Sequence, residues 1–139
     1  MNWLEEAKAD LRHARDCMGL ERFNWACFVS QQAAEKAFRA AILHVKGEYA
    51  RGHDLVKLYK SLKDACRDVL LDVARLSELS AYYTQARYPN AGLERPSEEI
   101  TAEQVERAYE AARGVIDEVS KIVSDCIRSV RGLSRPCAA

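Results

Sequence analysis

The sequence predicts an all-α protein, an antiparallel up-and-down bundle of four main helices plus one short helix. Three observations support this fold class. Apolar residues recur at steps of three and four along most of the chain, which is the spacing of one helix face. No segment alternates apolar and polar residues with the period of two that half-buried strands show. Glycine and proline fall between the periodic stretches, where connections between helices are expected.

The first two helices carry the clearest boundaries. The first is predicted over residues 2–18 and ends at Gly19. The second is predicted over residues 22–46 and ends at Gly47, and its many alanines allow a partner helix to approach closely. The apolar stripe of the second helix is predicted to contain Trp25, Phe28, Val29, Ala33, Ala37, Ala40, Leu43 and His44.

The next two helices are shorter. Asp54 is a predicted N-cap for a short helix with the sequence LVKLYKSLKDA. A further helix is predicted over residues 67–87, and Pro89 ends it because the ring of a proline disfavours the α conformation of the preceding residue, Tyr88. Its buried face is predicted to contain Leu70, Val73, Leu76, Leu79 and Tyr83.

The last helix is predicted to follow a loop with the sequence YPNAGLERPSEEI. Thr101 and Gln104 have the spacing of a capping box, so the helix should begin there and extend to about residue 130. Residues 1–131 are predicted to form a single domain, and residues 132–139 are predicted to be a frayed tail.

Composition excludes some classes of function. Lys plus Arg number 21 and Asp plus Glu number 21, so the formal net charge is zero. A nucleic-acid binder that acts through bulk charge is usually basic, so any such contact here must be a local patch. The N-terminus lacks the pattern of a signal peptide, and no apolar run reaches the length of a membrane span. We expect a soluble, cytoplasmic protein that does not contact a membrane.

The cysteines are predicted to be structural. Their number is odd, no C-x-x-C pair occurs, and four of them fall within helical patterns, where a cysteine behaves as a small buried hydrophobic residue. The spacings of a zinc site are absent, so no metal is predicted, and the pattern fits a reducing compartment. The five are Cys17, Cys27, Cys66, Cys126 and Cys137.

The stretch YYTQARYPN contains the strongest candidate for a binding site. Arg87 lies at a predicted helix C-terminus, where any cation complements the helix dipole, and its flat fork also suits phosphate. Tyr83 lies one turn earlier on the same face, and Tyr88 is adjacent. These groups could bind a phosphate and stack a base. An ion pair between Arg87 and Glu35 is the alternative that the sequence leaves open.

Other polar residues have weaker claims. Glu35 and Lys36 interrupt the apolar second helix, which is equally typical of a solvated face. His53 lies in a glycine-bounded loop directly before the predicted N-cap, where it could orient the loop or face a pocket. His13 and His44 lie within helical patterns and are predicted to be ordinary surface or core histidines.

Four motifs together resemble the HEPN domain, named for higher eukaryotes and prokaryotes nucleotide-binding. They are FVSQQAAEKAFRAAI, RGHDLVKLYKSL, YYTQARYPN and EEITAEQVERAYEAARGVID, which occur in the order and spacing of that family over about residues 3–125. The resemblance implies a bundle of four or five helices that usually dimerises. It also implies a partnership with a minimal nucleotidyltransferase, in a pair that resembles a toxin and its antitoxin.

Many members of this family are metal-independent ribonucleases, and this sequence departs from their signature. The signature is an arginine, then four to six residues, then a histidine. After Arg87 the eligible positions are Gly92, Leu93 and Glu94, and no histidine follows His53. Arg39 and His44 have the spacing, but five residues of helix turn through about 500°, so their side chains point about 140° apart.

The resemblance therefore implies two functions. The favoured one is a non-catalytic dimeric module that binds a minimal nucleotidyltransferase and a nucleotide or RNA phosphate, without a cofactor. Its predicted site residues are Arg87, Tyr88, Tyr83, His53, Lys36 and Glu35. The alternative is a ribonuclease toxin with an altered active site, in which Arg87 stabilises the phosphate and His53 moves the proton.

Overall fold

Six helices make up the part of the chain that the computed structural model describes, which is the backbone of residues 2–130 and the side chains as far as residue 124. In chain order they are α1 (Asn2–Gly19), α2 (Phe23–Lys46), α3 (Leu55–Ala65), α4 (Val73–Gln85), α5 (Pro96–Glu99) and α6 (Ala102–Val130). The predicted all-α bundle is confirmed. The frayed tail predicted for residues 132–139 lies outside the described residues.

Helix α2 is the centre of the bundle and packs against α1, α3, α4 and α6. Its alanines are buried on several sides, because small side chains let more than one neighbour approach the backbone. The prediction that Trp25 belongs to the buried stripe is wrong, since 48% of its surface is exposed. Ala26 and Cys27 occupy the buried positions of that first turn instead.

Helix α4 begins later than the sequence pattern predicted. Residues 66–72 form a turn in which the Tyr59 hydroxyl accepts from Leu71 N and donates to Val69 O. The Asp72 carboxylate then accepts from the backbone N–H groups of Ala74 and Arg75, which caps α4. The predicted burial of Leu70 and Val73 is therefore wrong: Leu70 lies in the turn and is 73% exposed, and Val73 begins the helix and is 46% exposed.

The turn after α4 positions Arg87. The helix ends at Gln85, and the backbone N–H groups of Arg87 and Tyr88 both donate to Thr84 O. The side chain of Asn24 in α2 donates to Ala86 O, which ties this turn to the start of α2. Arg87 therefore follows the helix end directly, close to where the sequence predicted it.

The connection from α4 to α6 contains one element that the sequence prediction missed. Pro96 is the first residue of the four-residue helix α5, a position that tolerates proline because that N–H has no helical partner. The predicted capping box is confirmed: Thr101 N donates to Gln104 Oε1 at 2.8 Å, and Gln104 N donates to Thr101 Oγ1 at 3.3 Å.

The cysteines differ in state. Cys17 and Cys27 are buried free thiols, and burial raises the pKa of Cys27 to about 12. Cys66 is buried and disulfide-bonded, which the prediction of small hydrophobic residues did not include. The side chains of Cys126 and Cys137 lie outside the described part of the chain. Among the described helices, none combines the length and apolar composition needed to cross a membrane.

Candidate functional site

A buried carboxylate on α2 organises the polar side of the candidate site. Glu35 is 5% exposed, and three side chains donate to it. They are Gln31 Nε2 at 3.3 Å, Arg39 Nη2 at 3.2 Å and His53 Nδ1 at 2.8 Å. We call Gln31, Glu35, Arg39 and His53 the Glu35 network. A buried carboxylate needs such donors, because an unpaired charge in the protein interior is costly.

The same network holds the loop between α2 and α3 in place. Arg39 donates to the carbonyl oxygens of Ala50 and Gly52, at 3.1 and 2.9 Å. Gln31 Nε2 also donates to His53 O at 3.2 Å. These bonds attach the glycine-bounded loop to α2 and so determine where the His53 ring lies. Two polar residues on α2, Gln31 and Arg39, thus determine the position of the loop that contains His53.

The imidazole of His53 is directed by Glu35 and covered on one face by Tyr83. The two rings are stacked, with centroids 3.8 Å apart and planes 13° apart. Since Glu35 holds Nδ1, the opposite nitrogen, Nε2, points away from the carboxylate. The side chain remains 47% exposed, so a ligand can reach the ring.

Tyr83 also contacts Arg87. Its Nε donates to Tyr83 O at 2.8 Å, and its Cζ lies 4.4 Å from the Phe28 ring centroid, 4.6 Å from Tyr83 and 4.9 Å from Tyr88. We call these four residues the Arg87 cluster. Within the described residues, no carboxylate forms an ion pair with Arg87. The alternative of an ion pair with Glu35 is therefore wrong, because Glu35 is already occupied by Arg39 and His53.

The aromatic rings leave the two terminal nitrogens of Arg87 available. The faces of Phe28, Tyr83 and Tyr88 attract the cation without offering it a hydrogen-bond acceptor. In the part of the chain that the structure describes, the only hydrogen bond of this guanidinium is the one from Nε. A guanidinium that is fixed at Nε and unpaired at both Nη atoms is a preformed fork for a phosphate or carboxylate.

A groove runs beside these groups. Its volume is about 530 Å³, and His53 and Tyr83 line it together with Asp54, Val56, Ser77, Ser80, Ala81 and Thr84. The N-terminus of α3 opens onto the same region, but the Asp54 carboxylate already accepts from the N–H groups of Val56 and Lys57. Of the predicted site residues, His53 and Tyr83 line this groove, whereas Arg87 lies outside its lining and contacts Tyr83.

The structure brings together five of the six predicted site residues. Glu35 contacts His53, His53 stacks on Tyr83, and Tyr83 and Tyr88 both contact Arg87. Lys36 is the exception, because its ammonium group pairs with Asp10 on α1 at 2.7 Å. Among residues 2–124, no group of three or more His, Cys, Asp or Glu side chains is placed to hold a metal ion.

The sequence prediction missed Phe28, Gln31 and Arg39 as parts of the site. Gln31, Glu35 and Arg39 are spaced four residues apart, which places them on one face of α2. That spacing was available as a signal for a hydrogen-bonded row. Phe28 carried no comparable signal, because its contact with Arg87 depends on how α2 meets the end of α4.

Comparisons with known proteins show the family of the chain. The model of the HEPN domain family matches residues 1–122. The curated protein "Putative toxin MJ1304" of Methanocaldococcus jannaschii is 23% identical over 143 residues, which cover 96% of this chain and 91% of that protein.

Solved structures are similar over most of the chain. The structure of TT1696 from Thermus thermophilus has a TM-score of 0.75 and 34% identity, and the match covers 86% of this chain and 94% of that one. ST0689, described as an archaeal HEPN homologue, has a TM-score of 0.68 at 27% identity, with 86% and 93% covered. A HEPN domain protein from Thermotoga maritima has a TM-score of 0.67 at 25% identity, with 89% and 98% covered.

Proposed function

Because the chain belongs to the HEPN domain family, we propose that it is a dimeric, non-catalytic module that binds a nucleotide or RNA phosphate at Arg87 and pairs with a minimal nucleotidyltransferase. In this proposal Arg87 binds the phosphate, while Tyr83 and Tyr88 stack on the ligand or hydrogen-bond to it. His53 supplies a further polar contact from the groove. Lys36 has no part, because Asp10 already neutralises it.

One observation carries the proposal: Arg87 is a fixed, partly buried cation without an acidic partner among the described residues. Arg87 also differs from the other described basic side chains in having three aromatic rings around its guanidinium, where Arg39 and Lys63 each contact one. An arginine used only for stability would gain more from a carboxylate partner. The arrangement is better explained by an anion that comes from outside the chain.

The partnership rests on the family rather than on the site. The relative named as a toxin favours a role in a toxin–antitoxin-like pair, in which the nucleotidyltransferase would be the second component. Exposed apolar side chains such as Leu70, at 73%, and Val73, at 46%, provide surface that a dimer or a complex could cover. The cytoplasm is the location that an RNA or nucleotide ligand implies.

A second candidate function, metal-independent RNA cleavage, is favoured by the pair of Glu35 and His53. The carboxylate fixes Nδ1 at 2.8 Å, which is how a general base is commonly oriented. His53 Nε2 would accept the proton of a ribose 2′-hydroxyl as that oxygen attacks the adjacent phosphorus. Arg87 would stabilise the charge on the phosphate, the P–O5′ bond would break to leave a 2′,3′-cyclic phosphate, and the departing 5′-oxygen would take a proton from water.

Binding and cleavage can be tested in the same samples. The probe is a short 5′-phosphorylated RNA with a 3′ fluorophore, in the presence of EDTA, observed by anisotropy and then on a gel. We expect Arg87→Ala to weaken binding by about 10- to 100-fold, the range for losing one charge-assisted contact. Arg107→Ala is the matched control, because it removes an exposed arginine that pairs with Glu78.

The gel separates the two candidate functions. The binding module predicts no cleavage above the level of the Arg87→Ala variant, whereas cleavage that is lost in both Arg87→Ala and His53→Ala would establish the ribonuclease. Equal RNA binding by wild type and Arg87→Ala would refute both.

The partnership needs its own experiment. Co-expression with a nucleotidyltransferase encoded beside its gene, followed by light scattering, should give a complex that contains a dimer of this chain. The Arg87→Ala variant should still form that complex. A monomer that does not bind the partner would contradict this part of the proposal.

A further inference from the structure

Trp25 forms an exposed aromatic surface beside the Arg87 cluster. It lies in the first turn of α2, one turn before Phe28, and 48% of its surface is exposed. Exposure of a tryptophan has a cost, because this side chain gains more than most from leaving water. What distinguishes Trp25 from the other exposed apolar residues is its contact with Phe28, a member of the Arg87 cluster.

The indole of Trp25 is joined to the Arg87 cluster through Phe28. Its ring meets the Phe28 ring edge-on, with centroids 6.0 Å apart and planes at 84°. The Phe28 centroid is in turn 4.4 Å from Arg87 Cζ. Within the described residues the indole N–H has no hydrogen-bond partner. Trp25 thus offers an exposed ring and a free donor that are separated from Arg87 by the Phe28 ring.

The cation and the exposed aromatic rings of this surface together suit a single-stranded nucleic acid. An unpaired guanidinium attracts an anion, and the exposed rings of Tyr88, which contacts it, and Trp25, which contacts Phe28, attract flat apolar groups. A single-stranded nucleic acid alternates these two features, since each phosphate is followed by a base with a π face. In a duplex the bases are already stacked on one another, so they are unavailable to a protein ring.

We propose that Trp25 is a stacking subsite for the base of the nucleotide next to the one whose phosphate Arg87 binds. This inference rests on the proposed function and narrows its ligand to a single strand of at least two nucleotides. A mononucleotide fills the Arg87 site and leaves the indole empty. The zero net charge of the chain fits a short footprint, because few phosphates are neutralised.

The test compares strands with and without bases. The probes are fluorophore-labelled oligouridylates of one, two, four and eight nucleotides, and a strand of four abasic ribose phosphates. Binding is measured by anisotropy with the wild type, Trp25→Ala, Trp25→Phe and Arg87→Ala. Tyr49→Ala is the matched control, because Tyr49 is 76% exposed and lies outside both the Arg87 cluster and the Trp25 surface.

We expect Trp25→Ala to weaken binding of the tetranucleotide by about 5- to 140-fold, which is the range for losing one base–aromatic stack. The same variant should bind the single nucleotide and the abasic strand as the wild type does. Trp25→Phe should retain part of the affinity, since it keeps an aromatic face. Arg87→Ala should lose affinity for every probe, and Tyr49→Ala should lose none.

The outcomes separate this inference from the proposed function. If Trp25→Ala matches the wild type on the tetranucleotide while Arg87→Ala is impaired, the subsite is refuted and the phosphate site stands. If the wild type binds no probe, both are refuted. Light scattering on the same samples tests whether Trp25 lies in a protein interface instead. A change of native mass in Trp25→Ala and Trp25→Phe, with RNA affinity unaltered, would identify such an interface and overturn the inference.

Discussion

Replacement of Glu35 by alanine should destabilise the protein more than any other single change in the polar site. The carboxylate is 5% exposed and receives hydrogen bonds from Gln31, Arg39 and His53 at 3.3, 3.2 and 2.8 Å. The substitution removes this shared acceptor, although Gln31 still donates to a backbone carbonyl and Arg39 to two. Gln31 is completely buried, and the Arg39 side chain is only 21% exposed, so water can replace the lost acceptor only in part.

The expected loss can be estimated from the exposure of the partners. Breaking one side of a fully buried ion pair costs about 3–5 kcal/mol of unfolding free energy. His53 is 47% exposed and can recover a hydrogen bond from water, which reduces the figure. We therefore expect about 2–4 kcal/mol for Glu35→Ala. Glu35→Gln keeps one acceptor oxygen but loses the charge. Its loss of unfolding free energy should be about 1–2 kcal/mol smaller than that of Glu35→Ala.

The assay is urea unfolding followed by circular dichroism, at one fixed protein concentration. Glu78→Ala is the matched control, since Glu78 also accepts from an arginine, at 2.9 Å, but both partners are more than 40% exposed. An exposed pair contributes about 0–1 kcal/mol. A loss below about 1 kcal/mol for Glu35→Ala, or a loss equal to that of Glu78→Ala, would refute the view that burial makes this network important.

Three further predictions concern other parts of the fold. Asp72→Ala removes the cap of α4 and should cost about 0.5–2 kcal/mol in urea unfolding; a variant as stable as the wild type would show that the cap is dispensable. Gly92→Ala places a Cβ at positive φ and 2.7 Å from the Gln85 side chain, so the melting temperature should fall, and an unchanged value would contradict the strain. Burial raises the pKa of Cys27 to about 12 from an ordinary value of 9.0. As pH rises above about 9, the Cys27 thiol therefore loses its proton in the unfolded chain before it does so in the folded protein. The free energy of unfolding should then fall by up to about 1.4 kcal/mol per pH unit. Cys27→Ala should make that decline less steep, and an identical slope would contradict it.

The fold class and most helix boundaries could be predicted from sequence because they depend on local signals. Asp54 and Thr101 act as the caps that the pattern indicated, and Gly47 ends α2 in a left-handed conformation. The start of α4 was predicted about six residues too early. The apolar spacing of Leu70 and Val73 outweighed the Asp72 cap, and the hydroxyl of Tyr59, from another helix, stabilises the turn.

The candidate site was harder to predict because its contacts join three separate segments. Tyr83 lies in the last turn of α4 and Arg87 lies just after its end, four residues on, so their contact followed from spacing. That Glu35 holds His53 rather than Arg87 depends on how the loop before α3 lies on α2. Trp25 was predicted to be buried, because periodicity cannot distinguish the outer edge of a wide apolar face from its centre.

The central claim is that the Arg87 guanidinium binds a phosphate. The most direct measurement is NMR of arginine side chains during titration with a 5′-phosphorylated uridine tetranucleotide. The hydrogen bond from Nε to Tyr83 O, at 2.8 Å, should slow exchange of that proton and make the Arg87 resonance observable. We expect this resonance to shift in a saturable way while that of Arg107 does not. An Arg87 resonance that stays unchanged while the oligonucleotide is shown to bind would contradict it.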